Sequence, residues 1–308
     1  MLHRLNQKTF ILQNRAGENF APFPKTATIG DAIMKIQYLG TAAAEAIPGL
    51  FCNCALCRHA REVGGKEIKT RSQALVDGEI LIDFPMDTYL HVLHQGLDLR
   101  GIHHCLITHS HSDHFTPMEF WCRMPGIAHD IGEEPLHVYL TEAGYLQAQR
   151  ELGRDFLSPR LSFHKIVPFA DFTIGDYRIV PLAANHDPAS DPVIYIIEKG
   201  EKSMLYANDT GIFPERTWEY LSTYGRTFDF VSLDCTAMAL TGWRDSHMGL
   251  DTNRELYDRL VSMGLCDSHT TAYVNHFSHN GRLTHEELVE AAAKLGFGAT
   301  YDGLTVAF

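Results

Sequence analysis

The chain has no long apolar run. No segment approaches the roughly 18 consecutive apolar residues of a membrane-spanning helix, and the opening Met1-Leu2-His3-Arg4-Leu5-Asn6-Gln7 lacks the apolar core of a secretory leader. Membrane association and export are therefore disfavoured, and a cytoplasmic location is expected. Internal repeats and low-complexity linkers are also missing, which favours one large domain over an array or a tethered pair. Basic residues are few: 26 Lys and Arg face 38 Asp and Glu, a net charge of −12. That field repels polyanions, no basic patch interrupts it, and nucleic acid is disfavoured as a partner. A small anion remains admissible, because bound cations set the charge inside a site whatever the outer surface carries. Cysteine is scarce and odd in number, seven in 308 residues, with three of them inside Cys52-Asn53-Cys54-Ala55-Leu56-Cys57. Such clustering suits metal binding in a reducing compartment better than a disulfide framework.

What the chain does have is an apolar content of 45%, enough for a substantial core. Residues 1–33 mix polar and apolar types without a clean period, and Pro22 and Pro24 work against a continuous helix, so this stretch reads as an N-terminal extension. Whether it packs on the domain or reaches the second subunit of a homodimer is left open. From Met34 short strands begin. Lys35 to Gly40 alternates, and Ala74-Leu75-Val76 and Ile80-Leu81-Ile82 flank the turn Asp77-Gly78-Glu79 as a hairpin. Thr88 to His94 reads as a short helix, Cys105 to Thr108 as a buried strand, and Pro117 to Cys122 as a helix. Further strands are expected at 136–140, 179–182, 193–197, 203–206 and 230–233, amphipathic helices near 251–263 and 284–294, and a terminal strand in 303–308. An α/β fold of two mixed sheets between layers of helices accommodates this order.

The densest chemistry lies in Thr108-His109-Ser110-His111-Ser112-Asp113-His114, directly after an apolar strand. Alternate positions of an extended loop can turn several imidazoles and a carboxylate into one pocket, a donor set suited to zinc, manganese or iron. Further candidates follow strands elsewhere: His186 after Leu182, Asp209 after Tyr206, His276 after Val274-Asn275, and Asp83 after Ile82.

The order His-x-His-x-Asp-His, His, Asp, His, with the early acid at Asp83, resembles the metallo-β-lactamase-fold hydrolases over nearly all of 34–308. The resemblance implies an αββα sandwich. It also implies that His109, His111 and His186 hold one divalent cation and Asp113, His114 and His276 a second, with Asp209 bridging. Asp83 would orient a ligating imidazole by accepting its other N–H. Two such cations roughly 3.5–4 Å apart make hydroxide available near neutral pH and neutralise charge on a phosphoryl or carbonyl oxygen.

Cys52, Cys54 and Cys57 supply three corners of a tetrahedral zinc site, which needs a fourth ligand to close. His279, three residues beyond His276, is the first choice, with His59 and Cys105 as rivals. The cysteine loop together with His276-Phe277-Ser278-His279 resembles the PhnP-type branch, phosphodiesterases of cyclic ribose phosphates. A related loop also occurs in the protein B of pyrroloquinoline quinone biosynthesis. The strand-end loop Gly40-Thr41-Ala42-Ala43-Ala44-Glu45 departs from the branch in having less glycine. His247, in Ser246-His247-Met248, resembles the branch's histidine near the active site and is a candidate general acid, alongside Asp113 as a catalytic group. Arg71, Arg244 and Arg282 are candidate phosphate contacts. Cys122, Cys235 and Cys266 carry no pattern.

A binuclear hydrolase of a small phosphodiester, cyclic ones included, is the function these features imply. Hydrolysis of a thioester, lactone or lactam by the same hydroxide is the alternative within the enzyme class, and a non-catalytic metal-binding module the alternative outside it. A di-iron redox enzyme of the same ligand pattern would need an electron-carrier domain, and none is present in the sequence.

Overall fold

Local chemistry makes the first hairpin. The computed structural model describes residues 33–308, and within them β1 (Lys35–Gly40), β2 (Gln73–Val76) and β3 (Ile80–Ile82) form an antiparallel meander. Asp77 and Gly78 both take positive φ, 52° and 75°, the geometry that matches a two-residue turn to the strand twist. β3 then pairs in parallel with β4 (His104–Leu106), β4 with β5 (Leu136–Leu140) and β5 with β6 (Leu161–Lys165). The stretch read as an N-terminal extension lies, apart from Ile33, outside the described residues.

The second sheet opens with an antiparallel meander of β7 (Phe172–Ile174), β8 (Tyr177–Ala183), β9 (Val193–Lys199) and β10 (Lys202–Ala207). It continues in parallel through β11 (Phe230–Asp234), β12 (Thr271–Asn275) and β13 (Gly298–Ala299). The last strand, β14 (Thr305–Ala307), crosses back to pair with β1, so each sheet has seven strands.

Helices cover both outer faces. α1 (Ala55–Val63), α4 (Glu215–Ser222), α5 (Leu250–Ser262) and α6 (His285–Ala293) contribute Leu56, Trp218, Leu256, Leu260 and Leu288 to the core outside the second sheet. α3 (Glu142–Leu152) and the turn of 3-10 helix Pro117–Arg123 cover the first, while α2 (Thr88–His94) follows β3. Strand periodicity of two explains the layering: Ile194 and Ile196 face the helices, and Tyr195 and Ile197 face the opposite sheet with Tyr38, Ile82, Tyr206 and Phe230. Strands buried on both sides read as continuous apolar runs, which is why they stand out in the sequence.

Two expectations change. Residues 117–122 make a 3-10 turn rather than an α-helix, and the strand expected at 105–108 ends at Leu106, because Ile107 and Thr108 already turn toward the His cluster. No helix among the described residues is long and apolar enough to cross a membrane.

Ile196 is fully buried between sheet and helices. Ile196→Ala should lower unfolding stability by about 2–5 kcal/mol, read as a drop in the urea midpoint at unchanged slope; a change under about 0.5 kcal/mol would mean that the packing described is wrong.

Candidate metal centre

Six strands deliver side chains to one edge of the sandwich. In the first sheet Asp83 follows β3 and residues 109–114 follow β4; in the second His186 follows β8, Asp209 follows β10, Asp234 ends β11 and His276 follows β12. Asp83, Asp209 and His276 leave their strands with φ of 67°, 57° and 66°. A non-glycine residue in that region costs on the order of 1 kcal/mol and persists only where its surroundings fix it.

The residues named from the sequence converge. Asp209 Oδ2 lies 3.1 Å from His109 Nε2 and 3.0 Å from His114 Nε2. His111 Nδ1 is 3.2 Å from His186 Nε2, and His114 Nε2 is 3.2 Å from His276 Nε2. Asp113 Oδ2 is 3.3 Å from His114 Nε2. Among the described residues three overlapping groups of ligand atoms share Asp209, each within a span of 4.8 Å: His109, His111 and His186; Asp113, His114 and His276; and Asp234, His247 and His276. The first two are the sets expected from the sequence.

This donor set fits divalent cations. His109 Nε2 and Asp209 Oδ1 are buried and make no hydrogen bond of acceptable geometry, although the latter lies 3.0 Å from His247 Nδ1. Buried polar atoms left so call for a partner. Burial opposes charge on Asp209, yet the imidazoles of His276, His109, His114 and His247 hold its carboxyl well below the usual range. Burial also opposes a charged His114, and the Asp113 and Asp83 carboxylates outweigh it, holding the ring well above the ordinary imidazole range. His109 is pushed down to about 4, first by burial and then by the neighbouring His114. The carboxylates thus demand positive charge at this edge, which imidazole protons or metal cations can supply.

Outside the ligand groups, carboxylates fix the rings. Asp83 Oδ2 accepts from His114 Nδ1 at 2.7 Å while Asp83 Oδ1 accepts the Thr108 N–H at 2.7 Å. Asp234 takes the matching place on the other side, its Oδ2 3.2 Å from His276 Nδ1 and 3.3 Å from His247 Nδ1. His247 thereby joins the cluster. Burial works against its charge, but Asp209 and Asp234 push the ring up to about 10.

A cavity of about 360 Å³ opens over these groups, lined by His111, Asp113, His186, Asp209, His247 and His276 and walled by Glu45, Leu240, Trp243, Ser278 and Asn280. Gly211 sets the approach of the His247 loop: a Cβ there would stand 2.1 Å from Arg244 O, and the two segments are joined by Ile212 N–H to Arg244 O at 2.8 Å.

Nearby, the cysteine loop meets the His276 turn. His279 Nδ1 is 3.7 Å from Cys52 Sγ and 3.8 Å from Cys54 Sγ, and with Cys57 the four ligand atoms share one 4.8 Å span. A tetrahedral zinc places sulfur and nitrogen ligands about 3.6 Å apart, so the set fits. The rivals stand elsewhere: His59 faces Glu67 at 3.6 Å, and Cys105 is buried on β4. Cys54, at the N-cap of α1, is lowered to about 7 although burial opposes it, because the Cys57 N–H donates to its sulfur.

The model of the β-lactamase superfamily domain matches residues 79–301, the stretch that holds Asp83 and all seven candidate ligands of the paired site. The chain belongs to the β-lactamase superfamily. Among solved structures, this superfamily chain is similar to a diphosphatase of the PhnP family, at 20% identity and a TM-score of 0.69 over 90% of this chain and 98% of that one. Zinc-bound PqqB from Methylobacterium extorquens matches at 18% identity and a TM-score of 0.69, covering 88% of this chain and 99% of that one. Yeast PDE1, unliganded, matches at 14% identity and a TM-score of 0.58, covering 89% and 99%. No curated protein matches by sequence. Identities this low establish the shared αββα sandwich of the superfamily and leave the substrate to the site itself.

The three arginines expected to meet phosphate do not line the cavity. Arg71 is buried, paired to Asp87 at 3.0 Å with Nε donating to Ala44 O; Arg244 pairs with Glu255 outside; Arg282 caps the turn after His279. Arg71 and Arg244 were isolated cations in the sequence, and only the folded chain supplies their partners. Conversely, Asp234 and Asp187 lie beyond the sequence expectation. Val231-Ser232-Leu233-Asp234 repeats the strand-then-acid pattern of Ile80-Leu81-Ile82-Asp83, a usable signal. Asp187 Oδ2, 3.2 Å from His111 Nε2, is an exposed residue beside His186 with no pattern of its own.

Asp234→Asn should weaken retention of metal at the paired site by about 10–100-fold while leaving the cysteine site loaded, as read by element analysis during graded chelation. Cys54→Ala should do the reverse. Equal loss of both metals in either variant would mean that the sites are not separate.

Proposed function

We propose that the chain is a binuclear metal-dependent phosphodiesterase of the PhnP-like branch, acting on a small anionic diester, with a structural zinc held by Cys52, Cys54, Cys57 and His279. The carrying observation is the convergence of two ligand groups on Asp209 beneath a cavity sized for a small molecule. In this reading His109, His111 and His186 hold one cation, Asp113, His114 and His276 the other, and Asp209 both. Zinc or manganese suits the mixed imidazole and carboxylate set, with iron as the third option. When bound, such a pair makes hydroxide available near neutral pH and offsets the charge that grows on the phosphoryl oxygens.

The chain's own residues contribute orientation and a proton. Asp83 and Asp234 hold His114 and His276 by their Nδ1 atoms, so that Nε2 of each faces the ligand cluster. Asp113 lines the cavity beside them and serves as ligand and catalytic carboxylate together. His247 has Nδ1 against Asp209 and Asp234, which leaves Nε2 for a bound molecule. As a hydroxide oxygen bonds to phosphorus and the ester P–O bond breaks, His247 gives its proton to the leaving alkoxide. The similarity to the PhnP-family diphosphatase supports attack at phosphorus rather than at a carbonyl carbon. One observation favours a carbonyl substrate instead: among the described residues, no Lys or Arg lines the cavity. A non-catalytic module is disfavoured by the completeness of both ligand groups and the open cavity above them.

Protein loaded with Mn²⁺ or Zn²⁺ should hydrolyse bis-p-nitrophenyl phosphate, and Asp209→Ala should lower kcat by roughly 10³-fold or more. His247→Ala should cost roughly 10²-fold with an alkyl leaving group and far less with p-nitrophenolate, which needs no proton. Hydrolysis of thioesters or lactones but of no diester, with about three metals bound per chain, would replace this proposal with the carbonyl alternative.

A further inference from the structure

Glu45 is the one acidic side chain in the cavity wall outside the ligand cluster, and no Lys or Arg accompanies it among the described residues. Its loop is stitched down: Ala43 N–H donates to Phe277 O at 2.9 Å, Phe277 N–H to Thr41 O at 2.9 Å, and Arg71 Nε to Ala44 O at 2.8 Å. Glu45 Oε1 is anchored to the same turn, accepting from Asn280 Nδ2 at 3.2 Å and from Ser278 Oγ, with His279 Nε2 3.7 Å away. Oε2 takes no part in these contacts, and nothing else among the described residues bonds to it. The side chain is about one-third exposed, 32%, so its charge meets whatever enters. Trp243 and Leu240, both exposed, complete the wall with an aromatic and an apolar surface.

A fixed carboxylate with a free oxygen, in a wall that holds an indole and no Lys or Arg, repels an anionic substituent and accepts hydrogen bonds from an ammonium or hydroxyl group. Indole also attracts ammonium through its ring face. We infer that Glu45 is a specificity-determining residue, and that the substrate's non-leaving alcohol carries an ammonium or hydroxyl group rather than a second anion. The inference rests on the phosphodiesterase reading of this site and narrows its substrate class to zwitterionic or polyol diesters.

The test is a series of p-nitrophenyl phosphodiesters with choline, glycerol or glycolate as the second alcohol, so that the leaving group is constant. For the metal-loaded protein kcat/KM should fall in that order, with choline at least about tenfold above glycolate, the effect of one like-charge contact replacing an attractive one. Glu45→Gln should compress the choline-to-glycolate ratio to about threefold or less, and the cysteine site should keep its zinc, which separates a role in recognition from a merely structural one through His279. A glycolate ester turned over as well as the choline ester by the unaltered protein overturns the inference without any variant. If no diester is hydrolysed, the phosphodiesterase reading fails on its own, and calorimetry still decides the recognition question. Choline phosphate should then bind at least about tenfold tighter than phosphoglycolate, and equal or reversed affinity overturns it.

Discussion

Asp83, Asp113, Asp209 and Asp234 are all buried at one edge of the sandwich, and four carboxylates in so little space cannot stay charged without cations among them. The fold answers with imidazoles on every side. Each carboxylate either faces the cluster or holds a ring in place by its Nδ1, so removing one leaves its partner buried and unsatisfied. Metal binding and folding of this edge are in that sense one equilibrium. The strained backbone at Asp83, Asp209 and His276 belongs to the same balance, because the contacts of the side chains hold turns that the backbone alone would not adopt.

The second metal-type cluster is coupled to the first through very little chain. The turn 276–279 carries His276 to the paired site and His279 to the cysteine loop, and Phe277 between them is buried and paired in parallel with Ala42. A zinc held by Cys52, Cys54, Cys57 and His279 would therefore fix both the turn and the 41–46 loop that forms one cavity wall. That arrangement would give the cysteine loop a purpose beyond local stability, since it would set one wall of the cavity. Charge is distributed accordingly, with cation-seeking groups at the floor of the cavity and an anionic, aromatic-lined wall above.

Much of this was legible before folding was considered, wherever the signal is local. The His-x-His-x-Asp-His run, the cysteine loop and the Asp-Gly hairpin each place their chemistry within a few residues, so spacing alone announces them. The buried strands announce themselves too, since a strand covered on both faces must be apolar along its length. Asp83, directly after its strand, and Asp209, two residues beyond its strand, were readable because together with the histidines they complete the order of ligands that the resemblance implies, and Asp234 at the end of its strand is comparable to Asp83 without having been singled out.

What only the tertiary structure decided is which charges meet. Arg71 and Asp87, Glu45 and Asn280, and His247 and Asp234 are separated by between 13 and 235 residues, and nothing in their neighbourhoods along the chain says whether a given charge is neutralised. Arg71 was expected as a phosphate contact and is a brace; Glu45, named only as the end of the strand-end loop, stands in the cavity wall. Residue type and strand order follow from the sequence because they depend on local sterics and on the period of hydrophobic burial. The sign of the field inside the cavity does not, because it is a sum over side chains that only the closed sandwich brings within a few ångströms of each other.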